Sequence, residues 1–217
     1  MYEVNGKCKR CNDNLSILHF PSLILRNFPI LGLMEKFKTV AESQVTLTEL
    51  MIPSYANFGG KIHGGIIMGL MDKVAYVCAA KHAGAYCVTA SVDDIDFLAP
   101  VEVGELVSLH ASVNYVGKTS MVIGIRVESE NVKTNEKKHT NTSYMTMVAM
   151  DDNHEPLIVP ALILHNDVEI RRFFQAFHRK ELKKYYHREE NRIKSDFEVA
   201  ESMEIIKNER CKIERTG

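Results

Sequence analysis

The sequence predicts an α+β fold in which a curved antiparallel sheet wraps one long central helix, and three observations carry that prediction. Across residues 66–80 only Asp72 and Lys73 bear a charge, so the helix written there is apolar on nearly every side and should be covered by the rest of the chain. Downstream, Val107, Leu109, Ala111, Val113 and Tyr115 alternate with Ser108, His110, Ser112 and Asn114, the period of a half-buried strand. The strands follow the helix as a block instead of alternating with it, which is the order of an α+β domain.

Residues 1–33 differ in character from the remainder of the chain. Cys8 and Cys11 form a C-K-R-C pair with no second pair or histidine motif after it, so no zinc site is expected. The apolar run 17–33 is broken by Pro21, Arg26 and Pro29, which suits neither a signal peptide nor a membrane helix. It reads as the product of an upstream start, with the protein proper opening at Met34; a targeting segment is the second reading, because the stretch is basic and poor in acids.

Residues 43–50 supply a first strand, and the glycine-rich loop N-F-G-G-K-I-H-G-G over residues 57–65 leads into the helix. In residues 87–98, Val88, Ala90 and Val92 share one parity while Ile95 and Phe97 share the other, which places a bulge or sharp bend at Asp93 and Asp94. The strands at 107–115 and 121–128 are joined by a turn at 116–119 centred on Gly117 and Lys118, and so form a hairpin. A polar turn at 131–138 leads to a further strand at 140–150. Beyond Pro160 the composition changes, and Asn166 is placed to cap a helix over residues 167–194. Residues 171–194 hold nine Lys or Arg and three Glu, a net of +6 that leaves −7 on the rest of a chain whose net charge is −1. The expected organisation is an extension (1–33), a compact domain (34–165) and a charged, mostly helical extension (166–217).

Chemistry concentrates between Asn57 and Asp72. An acid on an apolar helix carries a desolvation cost and needs a reason. Asp72 follows Gly65 by seven residues, about two turns, so both lie on one face with Met68 and Gly69 between them. Gly64 and Gly65 open the helix, where backbone N–H groups lack intrahelical partners and can polarise a carbonyl or hold an oxyanion. The plainer reading is that Gly59, Gly60, Gly64 and Gly65 only shape turns.

The run P-S-Y-A-N-F-G-G-K-I-H-G-G-I-I-M-G-L-M-D (53–72), followed in order by V-T-A-S-V-D-D-I-D-F (88–97), P-V-E-V-G-E (100–105) and V-G-K-T-S (116–120), resembles hotdog-fold acyl-CoA thioesterases of the bacterial and brain-type acyl-CoA hydrolase group. The resemblance covers roughly residues 43–160. It implies a hotdog fold and hydrolysis of acyl-CoA thioesters, with no metal or cofactor. It also implies a homodimer whose sites are shared, Asn57 of one subunit meeting Asp72 of the other, and assembly as a trimer of dimers. Asp72 would act as general base on water or as nucleophile, Asn57 would orient the water or the carbonyl, and the amides near Gly64 and Gly65 would hold the oxyanion. His63, Thr89, Lys118, Thr119 and Ser120 would bind substrate, the last three at the coenzyme A phosphates. The basic residues of the C-terminal helix are a solvated face, or lie near that polyphosphate or a neighbouring subunit.

Other classes fit less well. Net charge near zero offers no global attraction for nucleic acid. Ser54, Ser91 and Ser120 lack a nucleophile-elbow context, and Cys78 has no nearby base in sequence. The five cysteines are odd in number, which suits a reducing, cytoplasmic compartment. The alternatives kept open are a hotdog hydratase or dehydratase, with His63 as the only histidine close to Asp72 in sequence, and a non-enzymatic acyl-CoA-binding protein.

Overall fold

The computed structural model describes residues 36–93 and 95–214; the expectations for residues 1–33 and for Asp94 lie outside them. In chain order the elements are β1 (Phe37–Thr39), α1 (Val40–Ser43), β2 (Val45–Leu50), α2 (Gly64–Ala83), β3 (Tyr86–Val92), β4 (Glu105–Val116), β5 (Ser120–Asn131), β6 (Glu136–Met150), β7 (Ala161–Ile163), α3 (Asp167–Ser195) and α4 (Val199–Ile206). Five of the strands form one antiparallel sheet in the order β2-β4-β5-β6-β3, and β1 pairs in parallel with β7. No helix among the described residues is long and apolar enough to cross a membrane.

The core lies between α2 and one face of the sheet. Ile67, Met71, Val74 and Cys78 from the helix meet Leu109, Ile123, Ile125, Met145 and Met147 from the strands, all buried. Each such side chain contributes on the order of 1.5–3 kcal/mol when removed from water. The helix ends as its sequence dictates, at Gly84 in the left-handed region (φ 69°) with its N–H on Ala80 O.

The sheet's other face carries α3. Asn166 caps it by accepting the Glu169 N–H at 3.0 Å, as the sequence predicts. Ala176 is buried and the Phe173 ring lies 5.0 Å from that of Tyr115. This second layer explains where the alternation in β4 fails: Ser112 and Asn114 are buried as well as Ala111 and Val113. Asn114 fits only because its neighbour on β5 is Gly124, where a Cβ would come within 2.1 Å of Asn114 Nδ2.

Three expectations are corrected. The helix α2 is not wrapped all round, since Met68, Tyr76 and Val77 are 40–42% exposed, and the sheet curls over only part of its circumference. The bulge falls between Thr89 and Ser91, where the β3–β6 register shifts, instead of at Asp93, because β3 ends at Val92. β6 begins at Glu136, several residues earlier than 140: Asn135 takes φ 57° and closes a tight turn directly onto the ladder.

Candidate active site

The open face of α2 presents Gly65, Met68, Gly69 and Asp72 in one exposed row, the arrangement expected from helical spacing. Asp72 is exposed in the single chain, which corrects the expectation that its carboxylate is buried there. It is nevertheless fixed: Thr89 Oγ1 donates to Asp72 Oδ1 at 2.6 Å, and the same hydroxyl lies 3.4 Å from Met147 Sδ. A short O–H···O⁻ bond of this kind is charge-assisted and leaves Oδ2 free to take a proton from a water.

The bulge sets this contact. Thr89 pairs with Met147, whose side chain is buried in the core, whereas Ser91 pairs with Thr146, which faces α3. The extra residue, Ala90, therefore sends Thr89 toward α2 and Ser91 toward α3, although simple alternation would put them on one face.

The glycine-rich loop is held from both ends. Asn57 Oδ1 accepts the N–H groups of Gly59 (2.9 Å) and Lys61 (3.2 Å), so only its amide nitrogen remains to act on a ligand. Lys61 Nζ meets Glu102 Oε1 at 2.5 Å and Ile62 N–H donates to Val101 O at 2.9 Å, which assigns the 100–105 motif to bracing this loop. His63 caps α2, its Nδ1 accepting the Gly65 N–H at 2.8 Å. The Gly65 amide is thereby occupied, a correction to its expected place in an oxyanion hole, and Gly64 N–H is left without an acceptor among the described residues. Side chains at either glycine would crowd a neighbour. A Cβ at Gly64 would press on the Phe97 ring at 3.2 Å, and one at Gly65 on His63 Nδ1 at 2.9 Å.

Asn57 and Asp72 make no hydrogen bond to each other within the chain. The hairpin holding Lys118, Thr119 and Ser120 sits at the sheet end shared with Thr89, since Ser120 pairs with Val148 and Val148 with Val88. Its backbone is engaged by Val159 N–H on Lys118 O and by Ala149 N–H on Thr119 O, while the Lys118 side chain is exposed. Burial pushes the Cys78 thiol up to about 12 and the Cys87 thiol to about 11, so neither supplies a thiolate nucleophile. Sequence reasoning placed Thr89 among the substrate-binding residues and missed its bond to Asp72, because β3 carries hydroxyls at both Thr89 and Ser91 and nothing local says which faces α2.

The Thioesterase superfamily model matches residues 59–135. Protein VdlD of Helicobacter pylori is 43% identical over 145 residues, covering 67% of this chain and 83% of that protein. An apo-hexameric acyl-CoA thioesterase is 36% identical, with a TM-score of 0.68, over 70% of this chain and 97% of its own. The chain belongs to the thioesterase superfamily. Its sheet curled over a long helix is the hotdog fold of that superfamily. An acyl-CoA hydrolase from Staphylococcus aureus, solved with butyryl coenzyme A and coenzyme A, is 33% identical with a TM-score of 0.67, over 73% of this chain and 97% of its own. That hydrolase has also been solved as alanine variants of an asparagine, an aspartate and a threonine spaced 15 and 17 residues apart, the spacing of Asn57, Asp72 and Thr89 here.

Proposed function

We propose that the protein hydrolyses acyl-CoA thioesters, with Asp72 as general base. The observation that carries this reading is the Thr89–Asp72 hydrogen bond at 2.6 Å on the open face of α2. The match in spacing to the Staphylococcus aureus variants supports it. Thr89 holds one carboxylate oxygen while the other takes a proton from water. The water oxygen bonds to the thioester carbonyl carbon. The charge developing on the carbonyl oxygen is met by the Gly64 N–H of a second copy, since the same chain's Gly64 lies about 12 Å along α2 from Asp72; such a donor is worth about 3 kcal/mol in comparable sites. Collapse of the tetrahedral intermediate breaks the C–S bond and releases coenzyme A thiolate, which recovers the proton held by Asp72. The other product is the free acid. No metal or cofactor enters this sequence.

A second copy of the chain completes the site in this reading. Met68, Tyr76 and Val77 beside Asp72, and Tyr86 on the edge strand β3, are large apolar side chains 40–54% exposed, a surface that a partner would cover. Asn57 of one subunit would then direct its amide nitrogen at the carbonyl above Asp72 of the other. The hexameric acyl-CoA thioesterase among the relatives supports a trimer of dimers. His63 and the hairpin at Lys118 and Thr119 would line the entry, while Ser120 faces the α3 side of the sheet, and the compartment would be the cytoplasm.

The deciding experiment is free-thiol release from short, medium and long acyl-CoA esters, by the wild type and by Asp72→Asn. Hydrolysis of at least one ester, reduced about 10²–10⁴-fold in the variant, is expected. If no ester is cleaved, the reading fails. Hydration of crotonyl-CoA without thiol release would favour the hydratase instead.

A further inference from the structure

The six positive charges in excess over residues 171–194 of α3 do not form a uniform solvated face. Arg179, Lys180 and Lys183, with Lys184 at the rim, line a cavity of about 270 Å³ between the helix and strands β3, β4, β5 and β6. The opposite wall offers hydroxyls from Ser91, Ser120, Thr146 and Tyr115. A neighbouring cavity of about 500 Å³ shares Asp93, Arg179, Lys183 and His187 with it.

We propose that this cleft, on the sheet face opposite Asp72, binds the phosphate groups of a nucleotide or oligophosphate. The charge balance is the first reason. Among the described residues Asp93 is the single carboxylate in the lining, and it is already held by Lys183 Nζ at 2.9 Å, while Lys184 is paired with Glu181 at 2.8 Å outside the cavity. Arg179 and Lys180 have no carboxylate within ion-pair distance among the described residues. Arg179 is the second reason. Its guanidinium carbon lies over the Tyr144 ring, 3.4 Å from the centroid, with Nε and Nη2 buried and without a hydrogen-bond partner among the described residues. A half-buried cation in that state carries an uncompensated desolvation cost, which an anion at the cleft offsets.

The chemistry of the lining selects the ligand. A planar guanidinium, two lysine ammonium groups and several hydroxyl donors suit tetrahedral oxyanions. The volume is below the ~300–1,000 Å³ of a pocket that swallows a whole drug-sized ligand, so it accommodates phosphate groups and leaves a nucleoside to the adjoining cavity. Lys183 ties the cleft to the candidate active site: it donates to Ser91 Oγ at 2.8 Å, one residue beyond the bulge that aims Thr89 at Asp72. The phosphate site stands without the acyl-CoA reading; only its use for the nucleotide end of that substrate rests on it.

Titration calorimetry on the full chain with pyrophosphate and with ADP tests the proposal. We expect binding that weakens as salt is raised, falls at least tenfold in Arg179→Gln and in Lys183→Gln, survives in Lys183→Arg, and is unaffected by Lys133→Gln in the β5–β6 turn. Thermal unfolding of each variant checks that it is folded, and Lys180→Gln replaces Lys183→Gln if losing the Asp93 pair unfolds the protein. Neither probe binding the wild type, or both binding the glutamine variants as tightly, overturns the site. Two kinetic outcomes separate the sources of the phosphate. A raised KM in Arg179→Gln for acyl-CoA and not for acyl-pantetheine assigns the cleft to the substrate's own nucleotide. Unchanged kinetics on both, with probe binding lost, assigns it to a free nucleotide. If no thioester is hydrolysed while probe binding follows the variants, the acyl-CoA reading falls and the phosphate site remains.

Discussion

Thr89 and Ser91 stand two residues apart on β3 and serve opposite faces of the sheet, Thr89 donating to Asp72 at 2.6 Å and Ser91 accepting from Lys183 at 2.8 Å. A regular strand would place both on the same side. The bulge at Ala90 separates them, and the candidate catalytic carboxylate is oriented only because of it.

The first prediction follows from that contact. Thr89→Ala should lower kcat for thioester hydrolysis about 10- to 100-fold, the worth of one hydrogen bond to a charged group, while Thr89→Ser, which keeps the hydroxyl, should retain most of it. Equal losses in the two variants would show that the methyl group and its packing matter instead of the bond.

Subunit mixing tests the shared site. Asn57→Ala and Asp72→Ala should each be inactive, and mixing the two after subunit exchange should restore part of the activity, because a hybrid dimer holds one intact site. Exchange confirmed by mass spectrometry without any recovery would mean that each chain builds its site alone.

The exposed Lys118 should act on substrate phosphates. Lys118→Ala should raise KM for acyl-CoA, less so at high ionic strength, and leave acyl-pantetheine unaffected. The same penalty on both substrates would point to a disturbed β4–β5 hairpin.

Acid should destabilise the fold through His82. This ring is fully buried, its Nε2–H donates to Pro160 O at 2.8 Å, and Nδ1 has no partner among the described residues. Burial holds its pKa below the ordinary 6.5, outweighing the Pro160 carbonyl that favours the charged ring. The unfolded chain therefore binds a proton that the folded one resists, so stability is full above about pH 6.5 and declines as pH falls through the window beneath it. His82→Gln, which keeps a donor for Pro160, should flatten that decline in thermal unfolding measured from pH 7.5 to pH 5. An unchanged slope in the variant would place the acid sensitivity elsewhere.

Much of this protein was legible in one dimension. The order of the main elements (β2, α2, β3 to β6 and α3), the capped α3 and the row Gly65, Met68, Gly69 and Asp72 follow from local periodicity and capping, which act over a few residues and need no knowledge of distant partners. The motif over residues 53–72 pointed to the thioesterase superfamily before any coordinate.

Contacts between residues far apart in the chain decided the rest. Thr89 reaches Asp72 only through the register shift of β3 against β6, and a strand's own side chains do not show which residue will bulge. His63 takes the Gly65 amide because the loop closes over the first turn of α2, which leaves Gly64 as a donor without a partner among the described residues. Arg179 and Lys183 became walls of a cleft when α3 settled on the sheet's outer face. The exposure of Asp72 was equally hidden, because an apolar helix reads the same whether its last uncovered face awaits the sheet or a second chain.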